Sequence, residues 1–259
     1  MNLRPTSILR PAIAAAAVTL FMPACDLVPT LIAQTPAAAP AAAQTPATAP
    51  APAQTPAPAP AARPARPARP AGPAEPGWTQ LFNGTDLTGW VKVGQEQWTV
   101  DDGAIYGVGV TKEYGYLRTE AKYVDFDLTL RFKVEADGNS GVFFHSDFPP
   151  NSVDISQGLQ FEIDRVLNHH TGGLYGDGRN WIVWPAPELE TVIRPTDWNE
   201  MRMRVVGRRY QSWLNGTLMV DFTDPTPKSF DGYISLQLHS GGLGRMRFKD
   251  IYLRDLTKR

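Results

Sequence analysis

Cysteine is almost missing from this chain: Cys25 stands alone among 259 residues. An intramolecular disulfide cannot form, and metal sites built on paired cysteines are excluded. An excess of positive charge is missing as well, since 25 Lys and Arg face 26 Asp and Glu, for a net charge of −1. Before residue 77 the arginines Arg4, Arg10, Arg63, Arg66 and Arg69 outweigh Asp26 and Glu75, a balance of +3 that leaves −4 for the remainder. Nucleic acid, which calls for a basic face, is therefore not the expected partner. The apolar run Ala12–Phe21 is too short to span a bilayer. No helix-period run compares in length with the strand-like runs, and a phosphate-binding glycine loop is lacking: Gly107-Val108-Gly109 has no strand–turn–helix setting. Dinucleotide chemistry is thereby set aside.

What is present divides into three parts. Residues 1–25 carry Arg4 and Arg10 ahead of the short apolar run and read as a signal peptide. Cys25 follows in Met22-Pro23-Ala24-Cys25, similar to a bacterial lipobox, so either lipidation of Cys25, with a membrane tether, or ordinary cleavage near Ala33 is expected. Export to the periplasm or cell surface follows from both. Residues 26–76 are dominated by Ala and Pro, with Gln-Thr-Pro recurring at Gln34, Gln44 and Gln54 and Arg-Pro-Ala at Arg63, Arg66 and Arg69. Such composition favours extended polyproline conformations, and at about 3.1 Å per residue the spacer reaches on the order of 100 Å. Residues 77–259 suffice for one domain with a substantial core.

Alternation dominates that domain. In Phe126-Asp127-Leu128-Thr129-Leu130-Arg131-Phe132-Lys133-Val134 every second residue is apolar, the mark of a half-buried strand. Asn83-Gly84, Asp101-Asp102-Gly103, Asp137-Gly138-Asn139, Asn215-Gly216 and Asp231-Gly232 punctuate the runs as turns. Many strands without crossover helices imply an all-β fold, two antiparallel sheets packed as a sandwich or jelly roll. In Gly158-Leu159-Gln160-Phe161-Glu162-Ile163-Asp164 the pattern sends Leu159, Phe161 and Ile163 to one face and Gln160, Glu162 and Asp164 to the other. The same rule places His145 opposite Phe144, and groups Ser235, Gln237 and His239. Together these polar faces suggest the floor of a cleft, with Trp181 and Trp184 as aromatic ligand candidates. Sugars suit such a surface, offering C–H faces to rings and hydroxyls to amides and carboxylates.

In order and spacing these segments resemble the 3-keto-disaccharide hydrolase domain family, whose fold is a concanavalin A-like lectin/glucanase sandwich. The resemblance runs from Leu81-Phe82-Asn83-Gly84-Thr85-Asp86-Leu87-Thr88-Gly89-Trp90 through Asn139-Ser140-Gly141-Val142-Phe143-Phe144, the Gly158 strand and Thr171-Gly172-Gly173-Leu174-Tyr175 to Gly232-Tyr233-Ile234-Ser235-Leu236-Gln237-Leu238-His239 and Phe248-Lys249-Asp250-Ile251. The chain departs from the common pattern at His145, at Gln160 before Glu162, and at Leu238 between Gln237 and His239. The resemblance implies cleavage of a glycoside already oxidised to a ketone at C3. A base removes the acidified C2 proton, the C1 substituent leaves, and water adds to the enone; this needs a base near C2, a donor or cation at the ketone and an acid at the leaving oxygen. Glu162 or His145 is the expected base, and His239 the second acid/base group. Gln160, Gln237, Tyr175, Asp177, Arg179 and Trp181 are expected to bind the sugar. No cofactor is required by the sequence, although a divalent ion on His145, Glu162 and His239 would polarise a ketone. Adjacent His169 and His170 point apart and are not expected to chelate. A separate sugar 3-oxidoreductase must supply the ketone. Two rival readings are a lectin-like module without turnover and a two-carboxylate glycosidase using Glu162 and Asp164, about 7 Å apart at i and i+2 on one strand face.

Overall fold

The computed structural model describes residues 73, 75–155 and 157–257. The expected leader, Cys25 and the Ala/Pro spacer lie outside the described residues. Among the described residues, fifteen strands run in chain order as β1 (Thr79–Gln80), β2 (Trp90–Val93), β3 (Gln97–Asp101), β4 (Ala104–Val108), β5 (Gly115–Tyr123), β6 (Phe126–Val134), β7 (Ser140–Asp147) and β8 (Gln157–Ile163). They continue as β9 (Leu174–Gly176), β10 (Trp181–Val183), β11 (Asn199–Val206), β12 (Arg209–Leu214), β13 (Thr217–Thr223), β14 (Gly232–Leu238) and β15 (Arg245–Asp255), with one helical turn, α1 (Pro187–Glu190), after β10.

The strands form two antiparallel sheets. An eight-stranded sheet has the order β13-β12-β11-β6-β15-β4-β3, with β1 also pairing β15, and a seven-stranded sheet has the order β10-β9-β8-β7-β14-β5-β2. The fold is therefore the all-β sandwich that the alternation implies. Its core lies between the sheets: Phe126, Leu128, Leu130 and Phe132 of β6 are fully buried, as are Phe161 and Ile163 of β8 and Ile234, Leu236 and Leu238 of β14. Burial of this kind stabilises at about 25 cal/mol per Å² of apolar surface. Between β12 and β13, Asn215 and Gly216 adopt φ of 49° and 85°, the left-handed pair that a two-residue hairpin loop requires.

Because the apolar half of each strand points inward, the polar half is left on the outer faces. On the seven-stranded sheet this puts Tyr116 (β5), Gln237 (β14), Phe143 (β7), Gln160 and Glu162 (β8) and Tyr175 (β9) on one outer surface. The register fixes their neighbours: Gln237 is opposite Tyr116, Glu162 opposite Gly141 and Gln160 opposite Phe143, and Gln160 opposite Tyr175.

Candidate active site

Glu162 is the centre of the outer surface and is only 2% exposed. Its two neighbours across the sheet are glycines, and each leaves room for a side chain to close over the acid. At Gly141 a Cβ would lie 2.6 Å from Gln160 Oε1, so the Gln160 amide lies across that gap and donates from Nε2 to Glu162 Oε2 at 2.5 Å. On the other side Glu162 N–H donates to the Gly173 carbonyl at 2.9 Å. A Cβ on Gly173 would meet the Trp181 ring at 3.1 Å, which places the indole beside the acid. The Asn139 amide donates to the remaining oxygen, Glu162 Oε1.

Burial pushes the Glu162 carboxyl up to about 8; the Asn139 bond opposes the shift, the nearby Asp164 charge adds to it and the Gln160 bond opposes it. At neutral pH this acid is mostly protonated. Asn139 Oδ1 and Gln160 Oε1 are buried without partners, so exchanging the ends of either amide supplies an acceptor for the carboxyl proton.

Two residues beyond Gln237, His239 closes the row. Its N–H donates to the Asn139 carbonyl at 3.2 Å, and its Nδ1 is 3.2 Å from the Ser240 carbonyl. With Nδ1–H donating there, Nε2 accepts from the Tyr114 hydroxyl at 3.2 Å. Buried Glu96 accepts the Thr111 N–H at 3.1 Å and fixes the loop that delivers Tyr114. Burial raises the Tyr116 phenol to about 12 against the pull of Gln237, so it remains a donor throughout the working range.

Beside this row, Tyr114, Tyr116, Phe143, Tyr175, Gln237 and Lys228 contribute to the lining of an open cleft of about 220 Å³. Gln160 and Glu162 do not line it; they adjoin it through Phe143 and Tyr175. The aromatic wall continues from Tyr175 to Trp181, with centroids 5.4 Å apart, and on to Trp184, 50% exposed. His170 stacks on Trp184 at 5.4 Å, and the buried Glu190 carboxylate holds it through the backbone N–H at 3.0 Å and Nδ1 at 2.9 Å.

Glu162, Gln160, Gln237, Tyr175, Trp181 and His239 are thus gathered on one surface. Two expected residues, His145 and Arg179, are not. His145 has φ of 50° at a register irregularity between Phe144 and Asp147, and this bulge breaks the alternation that would have sent it to the polar face. Its Nε2 donates to the Val124 carbonyl at 2.8 Å, and its ring packs on Phe126 and Phe144. Burial lowers its pKa against the pull of that bond. It sits four residues beyond Gly141, roughly 13 Å along the strand from the partner of Glu162, and cannot share a proton-transfer site with it. Asp177 lines the cleft while its carboxylate also holds the loop, whereas Arg179 is committed elsewhere. Asp177 Oδ1 accepts the Gly158 N–H at 3.0 Å, while Arg179 grips Asp224 with both terminal nitrogens, at 3.0 and 2.7 Å. Arg179 braces the loop instead of facing a ligand.

The trio His145, Glu162 and His239 consequently does not converge. Among the described residues no group of three His, Cys, Asp or Glu side chains is arranged to hold a metal ion. His169 and His170 pair with different carboxylates, Asp164 and Glu190. Sequence reading missed Asn139, Tyr114, Tyr116 and Lys228. Tyr114-Gly115-Tyr116 carried a faint signal, two rings on one face of a strand leading into the cleft.

A model of the 3-keto-alpha-glucoside-1,2-lyase-like domain matches residues 77–254. A provisionally designated glycosyl hydrolase from Parabacteroides distasonis superposes with a TM-score of 0.55 at 23% identity, covering 70% of this chain and 94% of that one. The carbohydrate binding module CBM66 from Bacillus subtilis has a TM-score of 0.50 at 17% identity over 68% and 100% of the two chains. A Bacillus subtilis protein of unknown function with a galectin-like fold gives 0.53 at 14% identity over 65% and 90%. At these identities the structural likenesses establish the fold. A search of curated proteins by sequence finds no match. Over residues 77–254, then, the chain belongs to the 3-keto-alpha-glucoside-1,2-lyase-like domain family, and is a carbohydrate-active protein.

Proposed function

We propose that this domain cleaves 3-keto-glycosides by elimination across C1 and C2 followed by hydration, with Glu162 as the base. The observation that carries the proposal is the buried Glu162 carboxyl, raised to about 8 on the polar surface of a domain of this family. A base is most useful when its pKa lies near the working pH, and a carboxylate with its affinity for protons raised this far is suited to an acidified carbon acid.

The ketone at C3 stabilises the carbanion at C2 as an enolate. Glu162 takes the C2 proton, the C1–O bond breaks as the C1–C2 double bond forms, and the departing oxygen takes a proton. Addition of water at C1 then yields the free 3-keto sugar. The Tyr114 hydroxyl, set against His239 Nε2, gives the departing oxygen its proton, and the water that adds at C1 returns one to Tyr114. Tyr116 and Gln237 donate to the ketone oxygen, where negative charge develops. Gln160 and Asn139 orient the base, and Tyr175 and Trp181 offer ring faces to the sugar. Asp164 does not serve as the second carboxylate of a glycosidase in this account: its oxygens take the Val166 N–H and His169 Nδ1, both at 2.9 Å, closing a turn. The ketone comes from a separate sugar 3-oxidoreductase. The chain acts after export, in the periplasm or at the cell surface, held there by its spacer and, if Cys25 is acylated, by lipid. A divalent ion at the ketone would require ligands other than the trio considered above.

The test is release of aglycone from a 3-keto-glucoside and from its unoxidised parent by wild type and Glu162→Gln. Release from the keto sugar alone, reduced at least 100-fold in the variant, is expected. Release from neither, with saccharide still bound by both proteins, overturns the enzymatic reading in favour of a binding module.

A further inference from the structure

The face of the sandwich opposite the cleft carries a second concavity. On the outer surface of the eight-stranded sheet, Trp78, Arg131, Arg194, Trp198, Glu200 and Arg202 help to line a groove of about 810 Å³. That volume falls within the 300–1,000 Å³ usual for ligand sites, whereas the cleft beside Glu162 measures about 220 Å³.

The side chains in this groove are set unlike those elsewhere on the same sheet. Arg209, Arg247 and Arg254 are closed on carboxylates at 2.6–2.7 Å. Arg131 and Arg202 come only within 3.9 Å of Asp250 and 3.6 Å of Asp127, distances at which their donors remain unspent. Arg194 is exposed and reaches only the Trp198 carbonyl, at 3.4 Å. Trp78 Nε1, Arg202 Nε and Asp250 Oδ2 are buried without a hydrogen-bond partner, a costly condition that native proteins rarely leave unanswered. Lys249 lies 4.0 Å from the Trp198 ring centroid and holds that indole in place.

The chemistry of this groove selects its ligand. Arg131, Arg194 and Arg202 face Glu75, Glu200 and Asp250, so the charges balance and a polyanion gains no steering. None of the exposed large aliphatic side chains, such as Leu167 and Leu243, lines the groove, so it lacks the apolar patch of a protein or lipid contact. Planar guanidinium forks beside carboxylates and indoles match vicinal hydroxyls and the C–H faces of a pyranose. We infer that this groove is a second, non-catalytic binding site for an uncharged saccharide chain, which holds the domain on a polymer while the opposite sheet acts. The inference does not depend on the chemistry assigned to Glu162.

Affinity gel electrophoresis of the full chain through dextran, laminarin and xylan tests it. At least one of these neutral polymers is expected to slow the wild type and Glu162→Gln alike, with relative mobility falling at least twofold. The double variant Arg194→Ala/Glu200→Ala, which removes two exposed side chains, and Trp198→Ala are expected to lose that retardation while unfolding at the wild-type temperature. Should Trp198→Ala fail to fold, the double variant decides. Retardation by none of the three polymers overturns the inference. So does retardation that persists in the double variant, that disappears in Glu162→Gln, or that occurs only with polyuronate or anionic vesicles and vanishes at high salt.

Discussion

Replacing Glu162 by Gln should make the protein more stable as pH rises. In the folded state burial holds this carboxyl at about 8, against 4.5 for an ordinary glutamate. Between those values the folded protein keeps a proton that the unfolded chain has released, so the slope of unfolding free energy with pH is negative. This contribution to stability is complete below pH 4.5 and is lost progressively as pH rises towards 8. At about 1.4 kcal/mol per pH unit, the loss between pH 5 and pH 9 comes to about 4 kcal/mol. Gln carries no titrating proton and keeps the shape. Because Asn139 Oδ1 and Gln160 Oε1 lack partners, one amide can turn to accept from the new NH₂ group. Urea unfolding of wild type and Glu162→Gln at pH 5, 7 and 9 reads the difference directly. The gap between the two proteins should widen by about 4 kcal/mol in favour of the variant across that range, with equal m-values. A gap that stays constant with pH would falsify the buried, proton-holding environment assigned to Glu162.

Three further substitutions separate site from scaffold. His145→Asn should leave kcat/KM within threefold of wild type, since Asn tolerates the positive φ at this bulge; the loss of the Val124 bond should cost about 1 kcal/mol in urea, and a 100-fold fall in activity would reinstate the histidine in the chemistry. Gly141→Ala should displace the Gln160 amide, whose oxygen lies 2.6 Å from the added Cβ, and lower kcat at least tenfold for a stability loss of about 1–2 kcal/mol; wild-type kinetics would remove Gln160 from the account. Asp224→Ala should destabilise by about 2–4 kcal/mol, because it strands the Arg179 guanidinium. Burial pushes the Asp224 carboxyl up, but Arg179 and the Thr226 N–H outweigh it and hold it below the usual range. The contribution of this pair is therefore present at neutral pH and fades as acid protonates Asp224, and a destabilisation unchanged down to pH 3 would contradict that sign.

The fold was legible because alternation is a local property. The run Phe126–Val134 is a strand over its whole length, and its apolar half is buried as the pattern requires. Gln160, Glu162 and Gln237 were legible by the same rule. His145 was not, because one bulged residue reverses the face that alternation assigns. Arg179 was not, since its partner, Asp224, stands 45 residues away, and no local pattern announces such a pair. Asn139, Tyr114 and Tyr116 take their meaning from cross-strand register, which brings Tyr114 to His239 across 125 residues of chain. The glycines at 141 and 173 show the same limit: in sequence they are turn-like residues, in the sheet they are the gaps that let Gln160 and Trp181 close on Glu162.

The most direct test of the elimination chemistry is the rate of aglycone release from a 3-keto-glucoside carrying deuterium at C2, compared with the protiated sugar in single turnovers. Abstraction of the C2 proton by Glu162 predicts slower release from the deuterated sugar, a primary isotope effect of several-fold, and one solvent-derived hydrogen at C2 in the hydrated product. Equal rates with deuterium retained at C2 would mean that the glycosidic bond breaks without enolisation, and would contradict the role given to Glu162.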